Sequence, residues 1–189
     1  MKKSITALFM LLVMAPLAWG NDDPRTGYFR KSITPLELLG EEGANALASV
    51  FAPDEKLTWQ LSVPKNYDPA KPAAVIVFIG FASWGGGKKE WADVLEDHNI
   101  IWIGLINGGD KKPVQERMLR AILAQAVLER DYRIDTDRYY LFGYSGGAQV
   151  AAMLATLKPE RFKGALFYGD ALPWGDEEPE NIDLVRQNR

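Results

Sequence analysis

Uninterrupted apolar runs alternate with stretches of mixed polarity along the middle of the chain. Residues Ala73–Ile79 and 100–106 are apolar throughout, which is typical of strands buried on both faces of a sheet. Residues 89–97 and 114–130 have polar residues interspersed with apolar ones at helical spacing, which predicts helices. This alternation predicts an α/β fold with a mostly parallel sheet and helices on both faces. Ligands of such sheets bind at the carboxyl ends of the strands.

The segments on either side extend this pattern. Leu57–Val63 alternates apolar and polar residues, which predicts a strand, and residues 163–168 predict another. Thr34-Pro35-Leu36-Glu37 has the sequence of a helix-capping box, with proline at the first helical position. Residues 21–31 are mostly polar, and we predict an irregular segment there.

A glycine-rich turn joins an aromatic run at 139–142 to an apolar helical stretch at 148–157. Its sequence, Gly143-Tyr144-Ser145-Gly146-Gly147, fits G-x-S-x-G, the pattern of a nucleophile elbow. Small residues are needed two positions before and after the serine because strand and helix backbones crowd together there. The amide of Gly146 would open the helix and point at a developing oxyanion. The alternative is a strand–helix turn without chemistry.

The N-terminus has the features of a secretory signal. Lys2 and Lys3 precede an apolar run at 5–18, and Ala18 and Gly20 form a small-x-small site. We therefore predict cleavage before Asn21, export to the periplasm or the medium, and no membrane span in the mature chain. The alternative is an uncleaved N-terminal anchor.

The amino-acid composition excludes several kinds of reactive site and argues against one class of partner. The chain has no cysteine, so disulfides, thiolate metal sites and a cysteine nucleophile are excluded. The formal charge of −3 becomes −5 once Lys2 and Lys3 are removed, which argues against a nucleic-acid partner. The acidic residues show no metal-ligand spacing, and we predict neither a metal nor a cofactor.

Two further loops follow the buried strands. Residues 85–89 (GGGKK) suggest a phosphate-binding P-loop, but Ala82 and Lys89 stand where that motif needs glycine and Ser or Thr. We expect this loop to border the catalytic pocket beside Ser145 instead. Residues 107–110 (NGGD) are expected to line the pocket, or else to form an ordinary turn.

Taken together, these features resemble the α/β-hydrolase superfamily, in particular secreted esterases of the polyhydroxybutyrate-depolymerase and feruloyl-esterase type. The similarity covers roughly residues 57–174 and rests on LTWQLSVPKNYDPAKP, AAVIVFIGF, RIDTDRYYLFGYSGG and FKGALFYGD. It implies Ser145 as the nucleophile and Gly146 and Phe81 as the oxyanion-hole amides. With the predicted signal, we expect three segments, namely a signal peptide (1–20), an N-terminal extension (21–56) and an incomplete hydrolase domain (57–189).

The chain departs from that family pattern after the elbow. The superfamily order is Ser, then Asp or Glu, then His, but no histidine follows Ser145. The single histidine, His98, precedes a strand and is expected at the opposite end of the sheet. We therefore expect a domain that lacks its last strands. Asp170 is a weak candidate for the triad acid, the alternative being a loop aspartate that caps a turn.

These observations predict a serine hydrolase-type protein that acts on small or polymeric carboxylic esters through Ser145. Because a serine hydroxyl needs a base, we expect this chain to be inactive or nearly so. The aromatic residues Phe81, Trp84 and Trp174 are expected near the pocket mouth. Two alternatives remain open, a non-catalytic module that binds a ligand or partner, and an exported serine peptidase on the same scaffold.

Overall fold

The computed structural model describes residues 24–87, 91–169, 179 and 182–183. The predicted signal peptide, residues 1–20, lies outside the described residues. The strands are β1 (Gly27–Ile33), β2 (Leu57–Val63), β3 (Ala73–Ile79), β4 (Ile100–Leu105), β5 (Ile134–Tyr144) and β6 (Gly164–Tyr168). The helices are α1 (Pro35–Ala46), α2 (Ala92–Asp97), α3 (Val114–Glu129) and α4 (Gly146–Leu157).

The strands form one six-stranded sheet in the order β1-β2-β4-β3-β5-β6. Strand β3 runs parallel to both β4 and β5, and β6 runs parallel to β5. Strand β2 runs antiparallel to β4 and to β1. The predicted α/β architecture with a mostly parallel sheet is therefore confirmed. Because β3, β4 and β5 point the same way, the loops that follow them meet at one edge of the sheet.

Both faces of the central strands are covered by helices. On one face, Val75 and Val77 of β3 belong to the main core, which also contains buried residues of α1, α3 and α4. On the other face, Phe78 and Trp102 form a smaller cluster with Leu95 of α2. Burial on two sides explains why β3 and β4 are apolar at successive positions.

The N-terminal segment joins the same sheet. Residues 21–31 were predicted to be irregular, and this is wrong for residues 27–31, which belong to β1. That strand pairs with β2 along its full length. Phe29 and Ile33 are buried, whereas Tyr28 and Arg30 are exposed. The alternation that marks a strand is broken here, because Lys31 lies on the same side as Phe29 and Ile33 and the aromatic Tyr28 lies on the exposed side.

Helix α1 begins as the sequence predicts. The backbone amide of Glu37 donates to the Thr34 hydroxyl over 3.1 Å, and the amide of Thr34 donates to the Glu37 carboxylate over 2.8 Å. This reciprocal pair is the capping box. It lowers the pKa of Glu37, chiefly through the hydrogen bond from the Thr34 backbone. Within the part of the chain that the structure describes, no helix is long and apolar enough to span a membrane.

The main core should respond strongly to loss of side-chain volume. Leu61 of β2 is fully buried, whereas 44% of Leu36 at the start of α1 is exposed. Leu61→Ala should lower the free energy of unfolding by about 2–5 kcal/mol, because it leaves a cavity. Leu36→Ala should change it by less than about 1 kcal/mol. Urea unfolding followed by circular dichroism measures both, and equal effects would contradict this assignment of the core.

The backbones of β3, β5 and α4 approach one another closely at the glycine-rich turn. A Cβ atom added to Gly147 would lie 1.8 Å from the carbonyl oxygen of Ile79, the last residue of β3. A Cβ atom on Gly143 would lie 2.5 Å from the Cα atom of Ala148. Neither position therefore has room for a side chain, which is the packing that the G-x-S-x-G spacing predicts.

Substitution of Gly147 tests this close approach. Gly147→Ala should lower the free energy of unfolding by about 1–3 kcal/mol or more, because the backbone must shift to admit the methyl group. Gly164→Ala is the matched control, since its Cβ would lie 3.3 Å from the ring of Tyr140, a side chain that can move. Thermal melts measure the stability of both variants. A Gly147→Ala protein as stable as Gly164→Ala would rule out the close contact.

Candidate active site

Ser145 occupies a sharp, strained turn between β5 and α4. Its φ and ψ angles are 53° and −126°, a region that non-glycine residues seldom adopt. Its backbone amide donates to the carbonyl oxygen of Tyr168 over 2.7 Å, and its own carbonyl accepts from Ala148 over 2.7 Å. The residue is exposed. The turn thus presents Ser145 at the carboxyl edge of the parallel strands, as predicted for a nucleophile elbow.

The two amides predicted to form an oxyanion hole lie on segments that come together at the same edge. Gly146 is the first residue of α4, so its N–H lies at the positive end of the helix dipole. Phe81 follows β3 by two residues, and the end of β3 contacts Gly147. The ring of Phe81 also packs edge-on against Tyr144, with 5.1 Å between ring centroids.

The loop after β4 packs against both of these segments. The backbone amide of Asp110 donates to the carbonyl oxygen of Phe81 over 2.8 Å, and that of Asn107 donates to Ser83 over 3.2 Å. The carboxylate of Asp110 lies beside Gly146, where an added Cβ atom would be 2.2 Å from Oδ1. The loop at 107–110 was expected from the sequence to line the pocket. It contacts the elbow through Asp110, but none of its residues is among the described residues that line the cavity beside Ser145.

Arg117 of α3 is a residue that the sequence analysis did not single out. Its side chain is only 4% exposed, and its guanidinium donates to the carbonyl oxygens of Gly108 (2.8 Å) and Gly80 (2.9 Å). It also pairs with Asp110, with 3.0 Å between Nη1 and Oδ1. Burial lowers the pKa of Arg117, and the charge of Asp110 opposes that shift. A charged residue in a mostly buried helix was the available signal, but one of its partners, Gly80, lies 37 residues away in the sequence.

An aromatic cavity of about 470 Å³ opens beside the elbow. Tyr144 and Tyr168, which flank Ser145 in the structure, both contribute to its wall. Phe81 and Trp84, predicted near the pocket mouth, line it as well, whereas Trp174 lies outside the described residues. The described residues that line the cavity are Phe78, Phe81, Trp84, Gly86, Gly87, Trp91, Trp102, Phe142, Tyr144 and Tyr168.

The glycine-rich loop at 85–87 borders this cavity, as expected. Gly86 has a φ of 65°, and an added Cβ atom would lie 2.8 Å from the rings of Phe78 and Trp102. The indole N–H of Trp102 donates to the carbonyl oxygen of Gly85 over 2.9 Å. The glycines thus allow the loop backbone to pack closely against aromatic rings. Among the described residues, no group of three or more His, Asp or Glu side chains could hold a metal ion.

Among the described residues, no histidine lies beside Ser145. His98 lies in the turn between α2 and β4, at the end where the parallel strands begin, whereas Ser145 follows the end of β5. None of the described residues forms a hydrogen bond with the Ser145 hydroxyl. Asp170, the candidate acid, lies outside the described residues. It directly follows Gly169, whose added Cβ atom would lie 3.1 Å from the Cα atom of Ser145.

No protein-family model and no curated protein matches the chain. Several solved structures do match it. One is described as a dipeptidyl aminopeptidase IV from Bacteroides ovatus, with 20% identity and a TM-score of 0.55 over 74% of this chain and 21% of that chain. Another is the CE1 ferulic acid esterase of Anaeromyces mucronatus, with 12% identity and a TM-score of 0.51 over 78% and 59% of the two chains.

An S-formylglutathione hydrolase from Agrobacterium tumefaciens matches with 16% identity and a TM-score of 0.51, over 77% of this chain and 60% of its own. The chain therefore spans between 21% and 60% of the length of these three structures. All three are α/β-hydrolase fold members, and at this level of identity the likeness concerns the fold. The six-stranded sheet, its helices and the turn at Ser145 agree with it, and the chain has the α/β-hydrolase fold.

Proposed function

We propose that this protein is an exported serine hydrolase of the carboxylic-ester class, with Ser145 as its nucleophile. The observation that carries the proposal is the strained conformation of Ser145, with a φ of 53° at the start of α4. Backbone strain of this kind persists where the surrounding structure enforces it, and it clusters at active sites. The predicted signal peptide supports export.

The chemistry follows from the groups around that turn. The Ser145 oxygen attacks the ester carbonyl carbon, and the carbonyl oxygen becomes an oxyanion that accepts hydrogen bonds from the amides of Gly146 and Phe81. The tetrahedral intermediate expels the alcohol, which takes up a proton, and leaves an acyl group on Ser145. Water then attacks the acyl group and releases the carboxylic acid.

The step that this chain supports poorly is removal of the Ser145 proton. A serine hydroxyl is a weak nucleophile until a neighbouring base accepts its proton, and His98 lies at the opposite end of the sheet. We therefore propose that the isolated chain hydrolyses esters very slowly. Asp170 remains a candidate acid because of its place after Gly169, but a triad acid acts by orienting a histidine.

The aromatic cavity favours a second candidate, a non-catalytic module that binds a ligand or a partner. A concave site with mostly apolar walls is typical of small-molecule binding, and such binding needs no base. An exported serine peptidase on the same scaffold is a further alternative, because the elbow and the oxyanion amides serve amide and ester substrates alike.

Added imidazole should restore the reactivity of Ser145. A fluorophosphonate should label the mature chain slowly at neutral pH, and imidazole should raise the rate about tenfold by accepting the serine proton. That is less than the about 10²–10⁴-fold of a positioned base, because a free base lacks the advantage of fixed geometry. Intact mass spectrometry measures the single adduct.

Ser145→Ala is the control for this experiment and should give no adduct with or without imidazole. Equal labelling of Ser145→Ala and wild type would show that Ser145 is not the nucleophile. A folded wild-type chain that stays unlabelled in imidazole would favour the binding module. Rapid labelling without imidazole would show that the protein supplies its own base, and the proposed low activity would be wrong.

A further inference from the structure

Arg117 connects the loops that follow two different strands. Its side chain is 4% exposed and makes three charged or polar contacts outside its own helix, to Gly80, Gly108 and Asp110. Gly80 follows β3, and the other two residues belong to the loop after β4. A buried guanidinium must have its donors satisfied, and here that requirement holds the two loops together.

The contact with Gly80 acts on the proposed oxyanion donor through one peptide group. The carbonyl of Gly80 and the N–H of Phe81 belong to the same planar unit and point in opposite directions in a trans peptide. The structure contains no cis peptide bond among the described residues. Arg117 holds that carbonyl oxygen at 2.9 Å from Nη2. It therefore also determines the direction of the Phe81 N–H, and its charge polarises the peptide.

Asp110 restrains the next peptide group along the chain. Its backbone amide donates to the carbonyl oxygen of Phe81 over 2.8 Å, while its carboxylate pairs with Arg117 over 3.0 Å. Both peptide groups that flank the Phe81 Cα atom are thus fixed, one by the guanidinium and the other by the partner of that guanidinium. The same carboxylate lies beside Gly146, which supplies the other proposed amide.

We propose that Arg117 is a positioning residue that aims the Phe81 amide at the oxyanion formed on Ser145. The proposal rests on the function proposed above, since it needs an oxyanion at that place. Arg117 itself does not touch the substrate. Its planar fork reaches two carbonyl oxygens and a carboxylate at once, which the single ammonium group of lysine cannot reproduce.

Arg120 provides a matched control on the same helix. Its side chain is also 4% exposed and also forms buried ion pairs, with Glu116 at 3.1 Å and Glu55 at 3.2 Å. Its side-chain partners among the described residues, Glu116 of α3 and Glu55, are not among the groups that Arg117 contacts. Arg120→Lys therefore removes a buried guanidinium from α3 without altering the grip on Gly80, and it matches the general loss of stability that Arg117→Lys entails.

The test compares two probes that differ at the atom placed in the oxyanion hole. A fluorophosphonate presents a P=O oxygen there, and the corresponding fluorophosphonothioate presents sulfur, a weaker hydrogen-bond acceptor. For each protein, the labelling rates of Ser145 in imidazole are measured with both probes. Their oxygen-to-sulfur ratio reports hydrogen bonding to that atom, and a loss of folded protein scales both rates equally and leaves the ratio unchanged.

We expect the ratio to fall about tenfold or more in Arg117→Lys, because loss of an oxyanion donor slows such reactions by about 10²–10³-fold and lysine replaces the contact only in part. Arg120→Lys should keep the wild-type ratio. Equal ratios in Arg117→Lys, Arg120→Lys and wild type would overturn the proposal, as would an equal fall in both variants.

Asp110→Asn provides a second route if Arg117→Lys does not fold, since its amide oxygen still accepts a hydrogen bond from the buried guanidinium while the charge pair is lost, and 48% of the Asp110 side chain is exposed. Here the ratio should fall about threefold, the effect of one weakened hydrogen bond, and an unchanged ratio would overturn the proposal. If wild-type Ser145 stays unlabelled by the oxygen probe in imidazole, the proposed function fails and this proposal fails with it. A labelled wild type with unchanged ratios overturns the role of Arg117 alone.

Discussion

The close approach of three backbones at Gly147 is the constraint on which the rest of this site depends. The end of β3, the end of β5 and the start of α4 meet there, with a separation that leaves no room for a single methyl group. That contact holds Ser145 in its strained turn, and it brings the loop of Phe81 beside the first turn of α4. A strained residue costs about 1–3 kcal/mol, and the packing of α4 on the sheet offsets that cost.

A second constraint is the buried charge of Arg117. A guanidinium in this position has to be surrounded by acceptors, and the acceptors are backbone carbonyls of two loops and one carboxylate. The loops are thereby held at a defined distance from each other and from the elbow. The glycines of these loops also allow the close approach, since an added Cβ atom on Gly109 would lie 2.7 Å from the carbonyl oxygen of Phe81.

The two faces of the sheet differ in what they pack against, and the aromatic cavity lies on only one of them. The face that carries α1, α3 and α4 forms the main core and stabilises the fold. The other face carries the short helix α2 over a cluster of rings, and the described part of that face opens into the cavity beside Ser145. The main core and the cavity of the candidate site therefore lie on opposite faces of the same strands. Ser145 lies at the carboxyl ends of those strands, between the two faces.

The sequence by itself determined the local features of this protein. Leu57–Val63 and Ala73–Ile79 were bounded correctly because burial leaves a direct pattern in neighbouring residues, and the turn at Ser145 was recognisable because its glycines are required by backbone contact. Only the tertiary structure decided the pairing of β1 with β2 and the contact of Arg117 with Gly80. These depend on partners distant in the chain, whose positions follow from how the sheet is assembled and leave no pattern in adjacent residues.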